Sequence, residues 1–405
     1  MTIGAEPRRL AGFHPNVVAL GVTSFFTDIS TEMLVPVMPL FVTATLGASV
    51  VSLGLIEGIA ECTASALRLV AGRISDRVGR RKPFLVVGYG LSGVCKTSMA
   101  LARTWPAMLG LRFGDRVGKA LRNPPRDALI ADSTPDTDLG RAFGLHRAMD
   151  TFGAALGPLV SWWLLARWSA LGAEGYRRIF LVSAIPAALA VVVLLVLVRA
   201  PRLAVVRPQA GRGGNAPLGS RFWRFTAADV LFQLGNSSTA FLLLRAQGSG
   251  FSASSVALLY LAYNLISASL ALPFGGLSDR VGRRGLLLAG YVVYAISYGA
   301  AAFSPTPAGA IVAFVALAAH SALMEGQSRS LIADLVPRER RATAFGTYHA
   351  AVGAALLPAS IVAGLLWQHA GPQAPFALGA TMAIAAAVAF SVLLPVAEEP
   401  SKRHA

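Results

Sequence analysis

The chain has 405 residues, of which 55% are hydrophobic and only 14% charged, with a mean hydropathy of +0.59 and a net charge of +16. So apolar a composition cannot wet the surface of a soluble domain, and it makes a membrane protein the expectation. The positive excess would suit nucleic acid, but most loop Lys and Arg fall on one side of the apolar stretches, which assigns the excess to membrane topology instead.

Crossing a bilayer takes about 20 mostly apolar residues. Charge clusters and Pro/Gly loops divide the chain into twelve predicted spans at 14–45, 49–71, 84–102, 106–131, 142–165, 178–198, 223–244, 252–275, 286–303, 308–333, 342–367 and 375–396. The stretch before span 1 holds Glu6, Arg8 and Arg9 but no small-residue cleavage site, so span 1 is expected to be retained. With the N-terminus inside, most loop Lys and Arg fall on the inner side, while the outer loops hold Arg103, Arg167, Arg177, Arg178 and Arg245. Both termini are therefore expected in the cytoplasm.

Span 1 carries Asp28 and Glu32 in TDISTEM, and span 2 carries Glu57 and Glu61. Each pair is spaced i, i+4, which puts two acids on one helix face, suited to binding and releasing a proton. Cys62 and Cys95 lie in apolar stretches without CxxC or Cys/His spacing and read as small buried hydrophobes. Span 3 adds Lys96. Span 4 reads LRFGDRVGKALRNPPRDALIAD, and at about 100° per residue Arg112, Asp115, Arg116, Lys119, Asn123 and Arg126 share an arc of about 100°. A charged face on a spanning helix implies a water-filled cavity, because each such group costs about 2.5–3.5 kcal/mol in lipid on the mildest scale. Pro124 and Pro125 are expected to kink or end that helix before Arg126. Span 5 contributes His146, Arg147 and Asp150 and then GAALGP, in which Gly153, Gly157 and Pro158 suit close helix packing and a bend.

Residues 201–222, rich in Pro, Gly and Arg, read as a cytoplasmic linker between a bundle at 1–200 and another at 223–405. The second bundle is poorer in charge. Its polar candidates are Asp229, Gln233, Asn236, Tyr260, Tyr263, His320, Glu325 and His349. The spacing His320-x-x-x-Met324 lacks a second pair of soft ligands, so no metal site is expected.

The two bundles repeat one another. GRISDRVGRR at 72–81 recurs as GGLSDRVGRR at 275–284, and ALIADSTPDTDLGRAFG at 128–144 recurs as SLIADLVPRERRATAFG at 330–346. Two six-helix halves in the same orientation imply a pseudo-twofold axis along the membrane normal.

At Gly72, Asp76, Arg77, Gly79, Arg80 and Arg81, and again at Asp279, Arg280, Gly282 and Arg283, the chain resembles the major facilitator superfamily. That resemblance implies an all-α membrane protein of two pseudo-symmetric six-helix bundles. It also implies that these loops act as cytoplasmic latches, in which the Asp pairs with an Arg and faces a helix N-terminus of the other half. The GAALGP core is similar to the helix-5 motif of the superfamily's antiporters and exporters, although the glycines that usually follow are replaced around Ser161. Span 4 keeps Arg112 and Gly118 of an exporter pattern, with Asp115 and Arg116 standing where Gln and Gly are usual.

Other classes lack their residues. GDRVGKA has the wrong glycine spacing for a P-loop and no Ser or Thr after the Lys, and neither GxSxG nor HExxH occurs, so no enzyme and no cofactor is expected. The reading is a monomeric proton-coupled secondary transporter of the inner membrane, moving an amphipathic compound or anionic metabolite outward. Its partners are substrate, protons and the bilayer. The alternatives are an importer of a metabolite or metal ion, and a sensor on the same fold. Coupling is assigned first to Asp28 and Glu32, then to Glu57 and Glu61, with Asp150 as a further candidate. The chosen carboxylate is expected within about 4–6 Å of Arg112 or Arg116.

Overall fold

A computed structural model describes residue 10 and residues 12–78, 80–135, 138–199, 218–337 and 340–394, apart from some side chains within the helices. Helix α1 (Pro15–Glu32) starts on a proline, whose fixed φ suits a first turn, while His14 Nδ1 accepts from the Asn16 N–H at 3.1 Å. Thr23, Thr27 and Thr31 each donate a hydroxyl to the carbonyl four residues back, a habit that bends helices. Span 1, expected as one helix, breaks after Glu32 and resumes as the short α2 (Met38–Leu40) and a π turn at Phe41–Thr45.

The remaining first-half helices are α3 (Val50–Val78), α4 (Arg81–Ser98), α5 (Trp105–Asp132), α6 (Leu139–Trp168), and α7 (Ala173–Val182) with α8 (Ala184–Leu197), which together form span 6. Span 7 is likewise divided, into α9 (Ser220–Gly235) and α10 (Thr239–Gly248) around Asn236–Ser238. The rest are α11 (Ala253–Val281), α12 (Arg283–Phe303), α13 (Pro307–Leu335), α14 (Arg341–Ala370) and α15 (Ala374–Leu393). Positions 201–217 of the expected linker lie outside the described residues.

Helix α5 and the ends of spans 2 and 8 depart from expectation. Helix α5 runs through Pro124 and Pro125, so of the kink or end expected there the end does not occur. Pro124 packs beside Gly72 of α3, and within a bundle neighbouring groups sustain a helix past its missing N–H donors. Spans 2 and 8 do not end at 71 and 275 but continue to Val78 and Val281. The repeated decapeptide is thus mainly the last turns of a helix, and in its second copy the chain turns at Gly282, whose φ of 86° favours glycine.

The basic end of each decapeptide clasps its own half. Arg81 Nε meets Asp132 at 2.6 Å, and Lys82 Nζ donates to the Leu195 and Val198 carbonyls at 2.9 and 2.7 Å. In the second half Arg283 pairs with Asp334, and Arg284 donates to the Ser391 carbonyl at 3.1 Å. The third helix of each half is thereby tied to the fourth and to the closing carbonyls of the sixth, which lack partners within their own helix. The side chains of Asp76, Arg77, Asp279 and Arg280, and all of Gly79, lie outside the described residues.

Eight helical segments among the described residues are long and apolar enough to cross a membrane. Spans 1, 4, 5 and 7 are not among them, being broken or polar, and spans 1, 4 and 7 supply cavity walls. The halves meet along α3 with α14 and α6 with α11, where Gly54 and Gly58 lie against Leu357 and Ser360. The ends assigned to the outside are sealed by Met33, Val37, Phe41, Leu53 and Ile56 packed with Ala240, Leu244 and Ala257.

Candidate functional site

Backbone contacts set the azimuth of each helix around the site. Gly88 and Gly118 bring α4 against α5 so closely that a Cβ on Gly88 would stand 2.8 Å from the Gly118 carbonyl. That approach delivers Ser92 Oγ to Asp115 at 2.5 Å. Gly153 and Gly157 of α6 do the same against α1, where Cβ atoms would fall 2.5 Å from the Phe25 carbonyl and 2.8 Å from the Met33 nitrogen. The Asp28 and Glu32 Cβ atoms border these same contacts.

With the helices so placed, α3 and α5 join their charges in a chain. Arg112 lies 3.2 Å from Glu57 and 3.4 Å from Asp115, and Arg116 lies 3.5 Å from Glu61 and 3.9 Å from Asp115. Glu57 is buried, its side chain only 7% exposed, whereas that of Glu61 is 43% exposed. An unpaired charge in such a place would cost several kcal/mol, so the guanidinium and carboxylate partners are mutually required. The partners of Arg112 and Arg116 therefore come from α3, whereas the first expectation was α1.

Beside this chain lies a cavity of about 300 Å³. Glu32, Glu57, Glu61, Arg112, Arg116 and Lys119 line it from the first half, and Asn236, Ser237, Ser238, Thr239, Tyr260 and Ser360 face them from the second. Two hydrogen bonds cross it: Tyr260 donates to Glu32 at 2.8 Å, and Ser238 donates to Glu57 at 3.3 Å. Near it, the Asn264 side chain donates to the Ala154 carbonyl at 3.0 Å.

Several expected residues sit elsewhere. Lys96 is fully buried behind the cavity, donating to Thr31 at 3.0 Å, and Asp115 turns toward α4 instead of the opening. Tyr263 stacks on Tyr260 and shares a hydrogen bond with Ser321 at 3.0 Å. Arg126, His146 and Asp150 form a separate polar group: Arg126 donates to Ser24 at 3.2 Å, Ser24 meets His146 Nε2 at 2.9 Å, and His146 Nδ1 lies 3.5 Å from Asp150. Asp28 has Lys96, Lys119, Arg122 and Arg126 as its cationic surroundings and Glu32 and Asp150 as its acidic ones. Asn123 is half-buried and joins neither group, and Arg147 is exposed. The sequence reading missed Ser24, Thr31, Ser92, Ser238 and Ser360, single hydroxyls that no spacing pattern distinguishes from helix packing.

The second half buries one carboxylate of its own. Asp229 accepts from Tyr291 at 3.0 Å and from Tyr348 at 2.7 Å, away from the cavity lining. His320 contacts the Gly290 carbonyl through Nδ1 at 2.8 Å and packs on Phe232 and Tyr294. Among the described residues no group of three His, Cys, Asp or Glu side chains could hold a metal ion.

A family model described as Major Facilitator Superfamily matches residues 20–246 and 225–405. The chain is 34% identical over 377 residues to the "Uncharacterized MFS-type transporter MJ1317" of Methanocaldococcus jannaschii, covering 91% of this chain and 92% of that one. It is 33% identical over 121 residues, 30% of each chain, to "Multidrug resistance protein MdtH" of Yersinia enterocolitica. Among solved structures, that of the nucleoside transporter NupG superposes with a TM-score of 0.75 at 15% identity, covering 94% of this chain and 99% of the other.

Proposed function

The chain belongs to the Major Facilitator Superfamily and is a multi-pass membrane transporter, and we propose that it is a proton-coupled secondary transporter of the inner membrane, acting as a monomer and exporting a small molecule. The carrying observation is that Arg112 and Arg116 are each held by an α3 carboxylate at the cavity, with Glu57 also bonded by Ser238 of the other half. When Glu57 or Glu61 takes up a proton, its Arg loses an anionic partner and can hold an anionic group of the substrate. When the proton leaves, the carboxylate reclaims the Arg and displaces that group. Proton and substrate then exchange at one positive site. The same protonation weakens the bond to Ser238, because hydrogen bonds to ionised acceptors are about twice as strong as neutral ones. Charge state in the cavity thereby acts on the contact between halves.

Export is favoured by the similarity of part of the chain to a multidrug resistance protein and by the Gly153, Gly157 and Pro158 motif. The latches stay in this reading as gates: Asp76→Asn is expected to slow turnover without loss of substrate binding. The experiment for coupling is net flux in proteoliposomes under a pH jump. Glu57→Gln and Glu61→Gln should lose pH-driven flux, Glu57→Gln most, while exchange at equal pH on both sides persists. Full response to the pH jump in both variants, and in Asp28→Asn and Glu32→Gln, would refute coupling through these carboxylates.

A further inference from the structure

The charges around the cavity divide into those with a counter-ion and those without. Arg112, Arg116, Glu57 and Glu61 are matched across α3 and α5. Two lining groups are left over. Lys119 makes no hydrogen bond or direct ion pair among the described residues, with Glu61 and Asp28 acting on it only from beyond pairing distance, and its four-carbon stem stands on the same α5 face as Arg112 and Arg116. Among the described residues Glu32 has one neutral donor, the Tyr260 hydroxyl, and no cation within ion-pair distance. Lys119 and Glu32 lie close enough to act on each other electrostatically, yet farther apart than the 4.0 Å of a direct pair, with the cavity bordered by both.

An ammonium and a carboxylate lining one cavity, both only partly exposed, each gain from an opposite charge placed there. An anion would answer Lys119 and leave Glu32 unmatched. A cation would do the reverse. A molecule carrying both charges answers both in a single orientation, and it adds no net charge to a first half whose remaining cavity charges are already balanced. The wall opposite is uncharged, presenting the hydroxyls of Ser237, Ser238, Thr239 and Ser360 and the Asn236 amide, which suits the polar body between two charged ends. The volume of about 300 Å³ stands at the small end of ligand pockets, which run from about 300 to 1,000 Å³.

We infer that the transported substrate is a small zwitterion, its anionic group held by Lys119 beside Arg116 and its cationic group by Glu32. This rests on the transport reading and names the substrate class of the same cavity. It gives Tyr260 a second duty: as the donor to Glu32, it reports arrival of the substrate cation to the second half.

The test uses the full chain in proteoliposomes loaded with unbranched ω-amino acids from glycine to 6-aminohexanoate. The matched carboxylates and matched primary amines serve as single-charge probes, with a neutral sugar and a nucleoside alongside. Counterflow of at least one amino acid is expected, with the matched carboxylate and amine each at least tenfold weaker as competitors. Lys119→Gln should shift preference toward the amine and Glu32→Gln toward the carboxylate, each by about tenfold, in variants whose thermal unfolding shows them folded. Counterflow of a carboxylate, amine, sugar or nucleoside with no amino acid accepted would overturn the zwitterion and leave transport standing. Equal competition by single-charge and double-charge probes would overturn it as well. If folded protein exchanges none of the probes, both readings fall.

Discussion

The two halves share a fold, a decapeptide and a basic clasp, but they bury different chemistry. The first half encloses the chain Glu57, Arg112, Asp115, Arg116, Glu61. The second half holds an aromatic core, with Tyr294 stacked on Tyr298 at 4.1 Å and Phe232 edge-on to Tyr294 at 4.7 Å, and its buried carboxylate Asp229 is met by tyrosine hydroxyls. Duplication has thus kept the mechanical parts alike and let the chemical parts diverge. The half rich in ion pairs holds the carboxylates on which the proposed coupling rests, while the half of hydroxyls and rings meets them through Tyr260 and Ser238.

The sharpest way to break this contrast is Arg112→Gln, which leaves Glu57 and Asp115 buried without their shared guanidinium. A loss of about 3–5 kcal/mol is expected, measured by thermal unfolding in detergent, with partial recovery in Arg112→Gln/Glu57→Gln. Next in size is Gly157→Ala, whose methyl would meet the Met33 nitrogen at 2.8 Å and force α6 off α1. Overpacking of this kind costs about 1–3 kcal/mol, and the displaced Glu32 should weaken substrate competition in the same variant. Asp229→Asn tests the second half: two hydroxyl bonds are weakened at a cost of about 1 kcal/mol, while the response of flux to a pH jump stays intact. Loss of that response in a folded Asp229→Asn protein would mean that titrating chemistry is not confined to the first half. Smallest is Arg178→Ala, which removes an i, i+4 pair with Glu174 whose side chains are 48% and 54% exposed. A change of about 0.3–0.5 kcal/mol is expected there, and a larger one would show that pairs at the outer rim also carry the first half.

The twelve spans, their division into repeated halves and the charged face of α5 were legible because apolar run length, duplication and 3.6-residue periodicity are local properties of the chain. The pairing of that face was not. Whether Arg112 meets α1 or α3 depends on the rotation of three helices about their axes, and the glycine contacts that set it, Gly88 with Gly118 and Gly157 with Ile29, lie far apart in sequence. Lys96 and Asp115 show the same limit: an arc of about 100° says which residues share a side, not which neighbour covers it. The helix break at Asn236–Ser238, which places a hydroxyl on Glu57, has no proline to announce it.

The composition of α5 also bears on how the protein is made. Between Arg112 and Arg126 this helix carries six charged side chains, Arg112, Asp115, Arg116, Lys119, Arg122 and Arg126. At about 2.5–3.5 kcal/mol for each charge near the bilayer centre, it is a poor candidate for entering lipid alone. Its counter-charges Glu57 and Glu61 belong to α3, which leaves the ribosome earlier. Insertion of α5 should therefore wait at the translocon for α3 and α4 and leave with them as a hairpinned group. The order of synthesis, acids before bases, lets the first half assemble its ion pairs during translation, before any residue of the second half exists.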